Sequence, residues 1–241
     1  MRLADYLRCN LDERNRLLAS LNYAPVYPVL SGAALAPLMA VGQTVLDYLP
    51  LPAYMINRDW SVLAWNDWAL RFMGMTHEQV MRMPADVRHV LHFIFNPDLP
   101  VYRLVSHDPA EWHTLACRNI LGFKLENLLC QFEGWFEALI ARLKRLPRFE
   151  DYWETVQPGS LEAPPYVTQV MTPAGPAYFR SLLTLLRNDN YPQIVSYVPA
   201  DDASRRIFSA VGLPTPENGW GTQLPTQIGE ESALDFGGSD A

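Results

Sequence analysis

The chain has 241 residues, 49% hydrophobic and 19% charged, enough apolar side chain to bury a sizeable core in one large domain or one domain with appendages. A net charge of -7, with Lys124 and Lys144 the only lysines and the arginines scattered, excludes nonspecific nucleic-acid binding, which needs cations clustered on phosphates. Cys9, Cys117 and Cys130 are odd in number and far apart, as free thiols are in a reducing cytoplasm; with no apolar signal behind Arg2, Asp5 and Arg8 and no run of membrane-spanning length, the sequence reads as a soluble cytoplasmic protein.

Residues 2–21 read as two short helices. Leu3 and Leu7 share a face, and Asn10 caps the second helix, which opens with Asp12 and Glu13. Residues 22–28, with Pro25 and Pro28, form an extended linker. Residues 34–48 place Leu35, Leu38, Val41, Val45 and Leu46 at helical spacing, and Pro50 and Pro52 stop that helix. Ala53 to Asn57 and Ser61 to Trp65 are apolar, β-branched and aromatic runs on either side of the polar pair Arg58-Asp59, the pattern of a hairpin. Asn66 then caps a helix with Asp67 in its first turn.

Several helices follow without strands. Residues 84–95 carry Val87, Val90, Leu91 and Ile94 on one face, and Asn96-Pro97-Asp98-Leu99-Pro100 breaks them. Asp108-Pro109 with Glu111 is a strong start signal, and from there to Leu146 the pattern stays helical, bent near Gly122. Phe149, Tyr152, Trp153 and Val156 mark one more short helix after Pro147. Residues 166–171, 177–186 and 191–198 read as three strands, with turns at Pro173-Ala174-Gly175 and Asn188-Asp189-Asn190. Asp201 or Asp202 caps a last helix carrying Ile207, Phe208 and Val211. From Pro214 on the composition is that of a disordered tail.

Two strands, a block of helices and three further strands predict an α+β fold, a five-stranded antiparallel sheet covered by a helical block and preceded by N-terminal helices. A doubly wound sheet is excluded, because strands do not alternate with helices and no Gly-rich phosphate loop follows a strand. The expected divisions are residues 1–21, 22–50, 51–213 and 214–241.

The hairpin feeding a helix resembles the opening of PAS-type sensor domains. Six pieces in order make a narrower resemblance. Leu3 to Leu7 with Leu11 to Leu18 is similar to the last helices of a DNA-binding domain. Asn22-Tyr23-Ala24-Pro25-Val26-Tyr27-Pro28 resembles a "GYAPxYP" linker, and Pro52 to Asn66 resembles a hairpin ending in "VLAWN". Leu91 to Pro97 resembles "LLxLLFxDP", Leu146 to Trp153 resembles "SPEFRxLW", and Gln193 to Pro199 resembles "LVVYxPxP". Together they resemble the MmyB-like ligand-binding domain of XRE-type helix-turn-helix bacterial regulators. That resemblance implies a PAS-like domain that binds a small apolar ligand, with a fatty acid foremost. It also implies DNA contact only through a helix-turn-helix that these residues do not contain, so the chain as given is expected not to read DNA. A homodimer is expected from operator symmetry, and no membrane partner is expected.

The helical block is rich in aromatics, Phe72, Phe93, Phe95, Trp112, Phe123, Phe132, Trp135 and Phe136. Periodicity alone favours a filled core; the resemblance brings the wall of an apolar pocket level with it. The expected ligand-binding set is Trp65, Phe72, Phe93, Phe123, Phe132 and Phe136, with Arg88 and His92, four apart and so on one helical face, as the polar anchor. Arg118 and His113 are the alternatives. Trp65 is also expected to pack under the helix that Asn66 caps. Tyr54 and Tyr197 face the pocket or solvent according to a single residue of register.

Catalysis has little support. His77, His89, His92, His107 and His113 lack a metal-binding spacing, no G-x-S-x-G is present, and neither Cys117 nor Cys130 has an evident activating neighbour. No catalytic residue, metal or cofactor is expected apart from a bound fatty acid. Two other classes remain open: an interaction domain with a filled core, and an enzyme modifying a lipid or small metabolite.

Overall fold

The computed structural model describes residues 9–23, 25–131, 133–157, 167–186 and 191–213. The predicted helix around Leu3 and Leu7, Phe132, the turn at 188–190 and the predicted tail from 214 lie outside the described residues. The elements in order are α1 (Leu11–Ser20), α2 (Gly32–Tyr48), β1 (Ala53–Ile56), β2 (Val62–Trp65), α3 (Asp67–Phe72), α4 (His77–Arg82), α5 (Val90–Phe95), α6 (Pro100–Val105), α7 (Pro109–Glu126), α8 (Gly134–Leu143), α9 (Phe149–Thr155), β3 (Val167–Thr172), β4 (Gly175–Leu185), β5 (Gln193–Pro199) and α10 (Asp202–Ala210).

The five strands form one antiparallel sheet in the order β2-β1-β5-β4-β3. The last strand therefore lies against the first hairpin, with Tyr54 opposite Val195 and Ala53 opposite Ser196. Strand alternation divides β1 into two faces. Tyr54 and Ile56 join the main core on the inner face, while Ala53 and Met55 join a smaller core with Leu46, Ala64 and Ile194 on the outer face.

The local start signals act as expected. Asn10 and Glu13 close a reciprocal capping box on α1, Asn66 accepts from Ala69 N, Asp108 accepts from Ala110 N and Glu111 N, and Asp201 accepts from Ser204 N. Helices α5, α6 and α7 cover the inner face, and with α8 and α9 packed behind them they extend the main core with aromatic side chains. Phe95 packs edge-on against Trp112 and Phe149, with centroids 5.5 and 5.2 Å apart. The Trp112 indole N–H donates to Ile94 O at 3.0 Å, so this buried polar group is paired.

Helix α2 forms over the predicted residues and lies on the outer face, opposite the block, where Gly42 lets its backbone approach Met55 and Leu186. Two elements differ from the sequence reading. The helix predicted over 84–95 begins only at Val90, with His89 as its N-cap. The backbone before it is committed to the hairpin: Val62 N donates to Arg88 O at 2.8 Å and Val90 N to Trp60 O at 3.1 Å. Finally, the stretch from Pro109 to Leu146 is two helices, and the break falls after Glu126 rather than at Gly122. Arg58 donates to Glu126 O at 3.0 Å and Asn127 Nδ2 to Phe123 O at 3.1 Å, satisfying carbonyls that the helix end leaves open.

Candidate functional site

Between the inner face of the sheet and helices α5, α6 and α7 the packing leaves a cavity of about 310 Å³. Its floor is Tyr54 and Ile56 of β1, Val195 and Tyr197 of β5, and Val170 and Phe179 of the β3–β4 pair. Phe93, Ile94, Val101 and Leu115 face them from the helices, and Phe72 closes one side. Ser181 and Leu183 line it from exposed positions on β4, so the cavity opens to solvent there.

Polar groups gather at two points along α7, its middle and its C-terminal end. At one, Arg118 donates through Nη1 to Val167 O at 3.3 Å and through Nη2 to Thr168 Oγ1. It is the single cation among the described residues that line the cavity. Burial pulls its pKa down, with Tyr197 and Glu111 opposing, and a guanidinium stays charged throughout the working range. The Tyr54 and Tyr197 hydroxyls, 2.9 Å apart, stand on the sheet among these residues. Burial raises both phenols, Tyr54 well above its ordinary value and Tyr197 to about 12, where Arg118 and the Tyr54 hydrogen bond hold it back. Both are therefore neutral hydroxyls at physiological pH. Phe179 and Phe72 pack on the Tyr197 ring with centroids 4.5 and 5.1 Å away.

At the other end, Glu126 Oε2 accepts from Trp60 Nε1 at 2.9 Å and from the Tyr191 hydroxyl. Burial, reinforced by the Glu126 carboxylate, pushes the Tyr191 phenol well up. Trp60 takes a φ of 61°, a region that bulky side chains avoid. It is held there by Trp60 N donating to Asn57 O at 2.9 Å and by the bond from Val90 N.

The described members of the predicted site fall into four groups, Phe132 lying outside the described residues. Phe72 and Phe93 line the cavity. Phe123 and Phe136 are buried beneath it, stacked at 5.8 Å and 12°, and do not line it. Trp65 and Arg88 are half-buried in a separate groove between α2 and the β2 edge, shared with Asp47 and Asp67. His92 is buried at 9% exposure beside His89, its Nδ1 unpartnered; burial lowers its pKa. Because α5 starts at Val90, Arg88 and His92 are not on one helix, and the structure does not bring them to the cavity. Of the two alternatives, Arg118 lines it and His113 instead meets the Tyr152 hydroxyl at 2.8 Å.

Glu126, Thr168, Trp60 and Tyr191 were not distinguished by the sequence. The signal for α7 lay in its second stripe, Leu115, Arg118, Asn119, Gly122 and Glu126, which runs beside the apolar stripe of Trp112, Ala116, Ile120 and Phe123. Helical spacing holds for both, and the polar members hid the second. Among the described residues no three or more His, Cys, Asp or Glu gather as a metal site, and no helix is long and apolar enough to cross a membrane.

Residues 40–210 match the family described as MmyB-like transcription regulator ligand binding domain. No curated protein matches the chain.

Proposed function

Since the chain belongs to the MmyB-like transcription regulator ligand binding domain family, we propose that the cavity is its ligand site and that the ligand is an apolar amphiphile with an acidic head, a fatty acid in the first instance. The observation that carries this reading is an apolar cavity with one cation, Arg118, in its wall. Ligand sites are built this way, with apolar walls and a few polar groups that fix orientation. Each methylene taken out of water contributes about 0.8 kcal/mol gross, part of which is lost to ordering chain and protein.

Arg118 is the proposed anchor for the carboxylate, with the Tyr54 and Tyr197 hydroxyls as neutral donors beside it. In titrations of the lipid-stripped chain with decanoic acid, Arg118→Gln is expected to weaken binding about tenfold to a hundredfold, the worth of a charge-assisted hydrogen bond. The pair Arg88→Ala with His92→Ala is expected to leave affinity in place. Unchanged binding in Arg118→Gln would remove Arg118 from the anchor. Mass spectrometry of small molecules released from the denatured protein, set against a host-lysate control, tests the ligand class directly.

The route from ligand to regulator runs through the hairpin loop. Asn57 donates to Leu30 O at 2.8 Å, and Asn15 pairs with both backbone groups of Val26 at 3.0 and 2.8 Å. Arg14 pairs with Glu133 in the segment that follows α7. Linker and α1 thus rest on residues next to the Glu126 end of the cavity. A ligand that favours one packing of Trp60 and Glu126 shifts the population of linker positions, and through them a DNA-binding unit outside this chain. A homodimer, measured by sedimentation, would match two-fold operators.

A further inference from the structure

The cavity is polar at two points along α7, its middle and its C-terminal end, and the two carry opposite charge. Arg118 and Glu126 both line it, eight residues apart on one helix, which places them about 12 Å apart along the axis. Between them the helix offers only Asn119 and Gly122, and the opposing wall is mostly apolar, with Thr168, Ser181 and Gln193 as its polar members beside the two tyrosines. The Glu126 carboxylate is fixed in place: both of its side-chain hydrogen bonds, from Trp60 and Tyr191, fall on Oε2, and the two donors are themselves buried at 8% and 4% exposure. Glu126 itself is an exposed residue at the edge of the cavity, and among the described residues no protein donor reaches its Oε1.

We propose that the cavity takes a bipolar ligand, a medium-chain acid whose far end carries a hydrogen-bond donor, a hydroxyl or an ammonium, held by Glu126. This rests on the reading of the cavity as the ligand site and narrows the class of ligand. A methyl end pressed against Glu126 displaces water from a carboxylate and returns no hydrogen bond, which is unfavourable. A hydroxyl or ammonium replaces that water, and a second carboxylate meets like charge. The site thus selects as much by what it rejects as by what it holds. An extended alkyl chain advances about 1.25 Å per carbon by its covalent geometry, so about ten carbons span the two ends. The volume agrees: at about 30 Å³ per water-sized group, 310 Å³ holds on the order of ten.

The test is a calorimetric titration of the lipid-stripped full chain with four probes: decanoic acid, 10-hydroxydecanoic acid, 10-aminodecanoic acid and decanedioic acid. The hydroxy and amino acids are expected to bind about tenfold tighter than decanoic acid, the scale of one hydrogen bond to a charged group, and the diacid weaker than all three. In Glu126→Gln the ratio between 10-aminodecanoic and decanoic acid is expected to fall towards unity. If decanoic acid binds as tightly as its hydroxy and amino analogues, the ligand site stands and the bipolar proposal is overturned. If neither these four nor longer straight-chain acids bind, the ligand-site reading itself fails, and this proposal with it. The probe series on the unmodified chain decides between these outcomes without relying on the variant.

Discussion

Asn66 is 6% exposed, and its amide is in use on both sides. Its Oδ1 accepts from Ala53 N at 3.1 Å and Ala69 N at 2.9 Å, and its Nδ2 reaches Leu51 O at 2.8 Å and Leu46 O at 3.2 Å. One side chain thus starts α3, holds the first residue of β1 and ends α2. Alanine at this position loses a cap and strands buried backbone groups, each costing about 1 to 2 kcal/mol. Asn66→Ala is expected to lower unfolding free energy by about 2 to 4 kcal/mol, read from the urea midpoint at constant slope; a loss under 1 kcal/mol would mean water fills the amide's place. The capping half of this role is local and can be read from Trp65-Asn66-Asp67 alone. The ties to Leu46 and Leu51 are not, because they depend on where α2 docks.

At the level of elements, α2 and α7 are each placed by a glycine or a polar residue that periodicity treats as neutral. A Cβ at Gly42 would stand 2.3 Å from Met55 Sδ and 3.2 Å from Leu186 Cδ1, and Met55 is fully buried. Alanine gains about 1 kcal/mol of helix propensity, but overpacking a closed site costs about 1 to 3 kcal/mol. So tight an approach puts the cost at the upper end. Gly42→Ala is therefore expected to destabilise by about 1 to 2 kcal/mol and to speed hydrogen exchange in α2 and β1. A stabilised variant would show that α2 does not bear on Met55. On α7 the apolar stripe was legible and fixed the helix, whereas the stripe that lines the cavity carries Arg118, Asn119 and Glu126. Spacing alone leaves such residues between solvent and pocket, Arg118 being one of the alternative anchors, and the sheet opposite decides that Arg118 and Asn119 are half-buried in the cavity wall while Glu126 stays exposed at its edge.

For the whole molecule, buried histidines and tyrosines set the pH range of stability. Burial holds His89 at about 3 against an ordinary 6.5, and it lowers His92 as well. Below pH 6.5 the unfolded chain therefore binds protons that the folded chain refuses. Stability is full above that value and falls on acidification by about 1.4 kcal/mol per pH unit for each such group, down to about 3 for His89. Tyr54, Tyr191 and Tyr197 act with the opposite sign: raised in the folded state, they lose stability for the fold as pH climbs past their ordinary 10. Urea midpoints across pH are expected to show a plateau between these limits. His89→Gln should flatten the acid arm, and an equally steep arm in that variant would assign the acid loss to other groups.

The sequence by itself determined the α+β class, the strand count, the helix starts at Asn10, Asn66 and Asp108, and the family to which residues 40–210 belong; between Asp201 and Asp202 the structure chose Asp201. Each element and motif piece rests on residues within a few positions of one another, where spacing and capping chemistry act directly, and class and family follow from the order of those pieces along the chain. Tertiary structure alone decided which side chains meet around the cavity. Arg118 reaches Thr168 across 50 positions, Trp60 reaches Glu126 across 66, and Tyr54 reaches Tyr197 across 143. The register of β5 against β1 turns both tyrosines inward, and a slip of one residue would turn the β5 tyrosine to the outer face. The backbone bonds of residues 88–90 to the hairpin kept Arg88 off α5, and no periodicity within the helix carries that information.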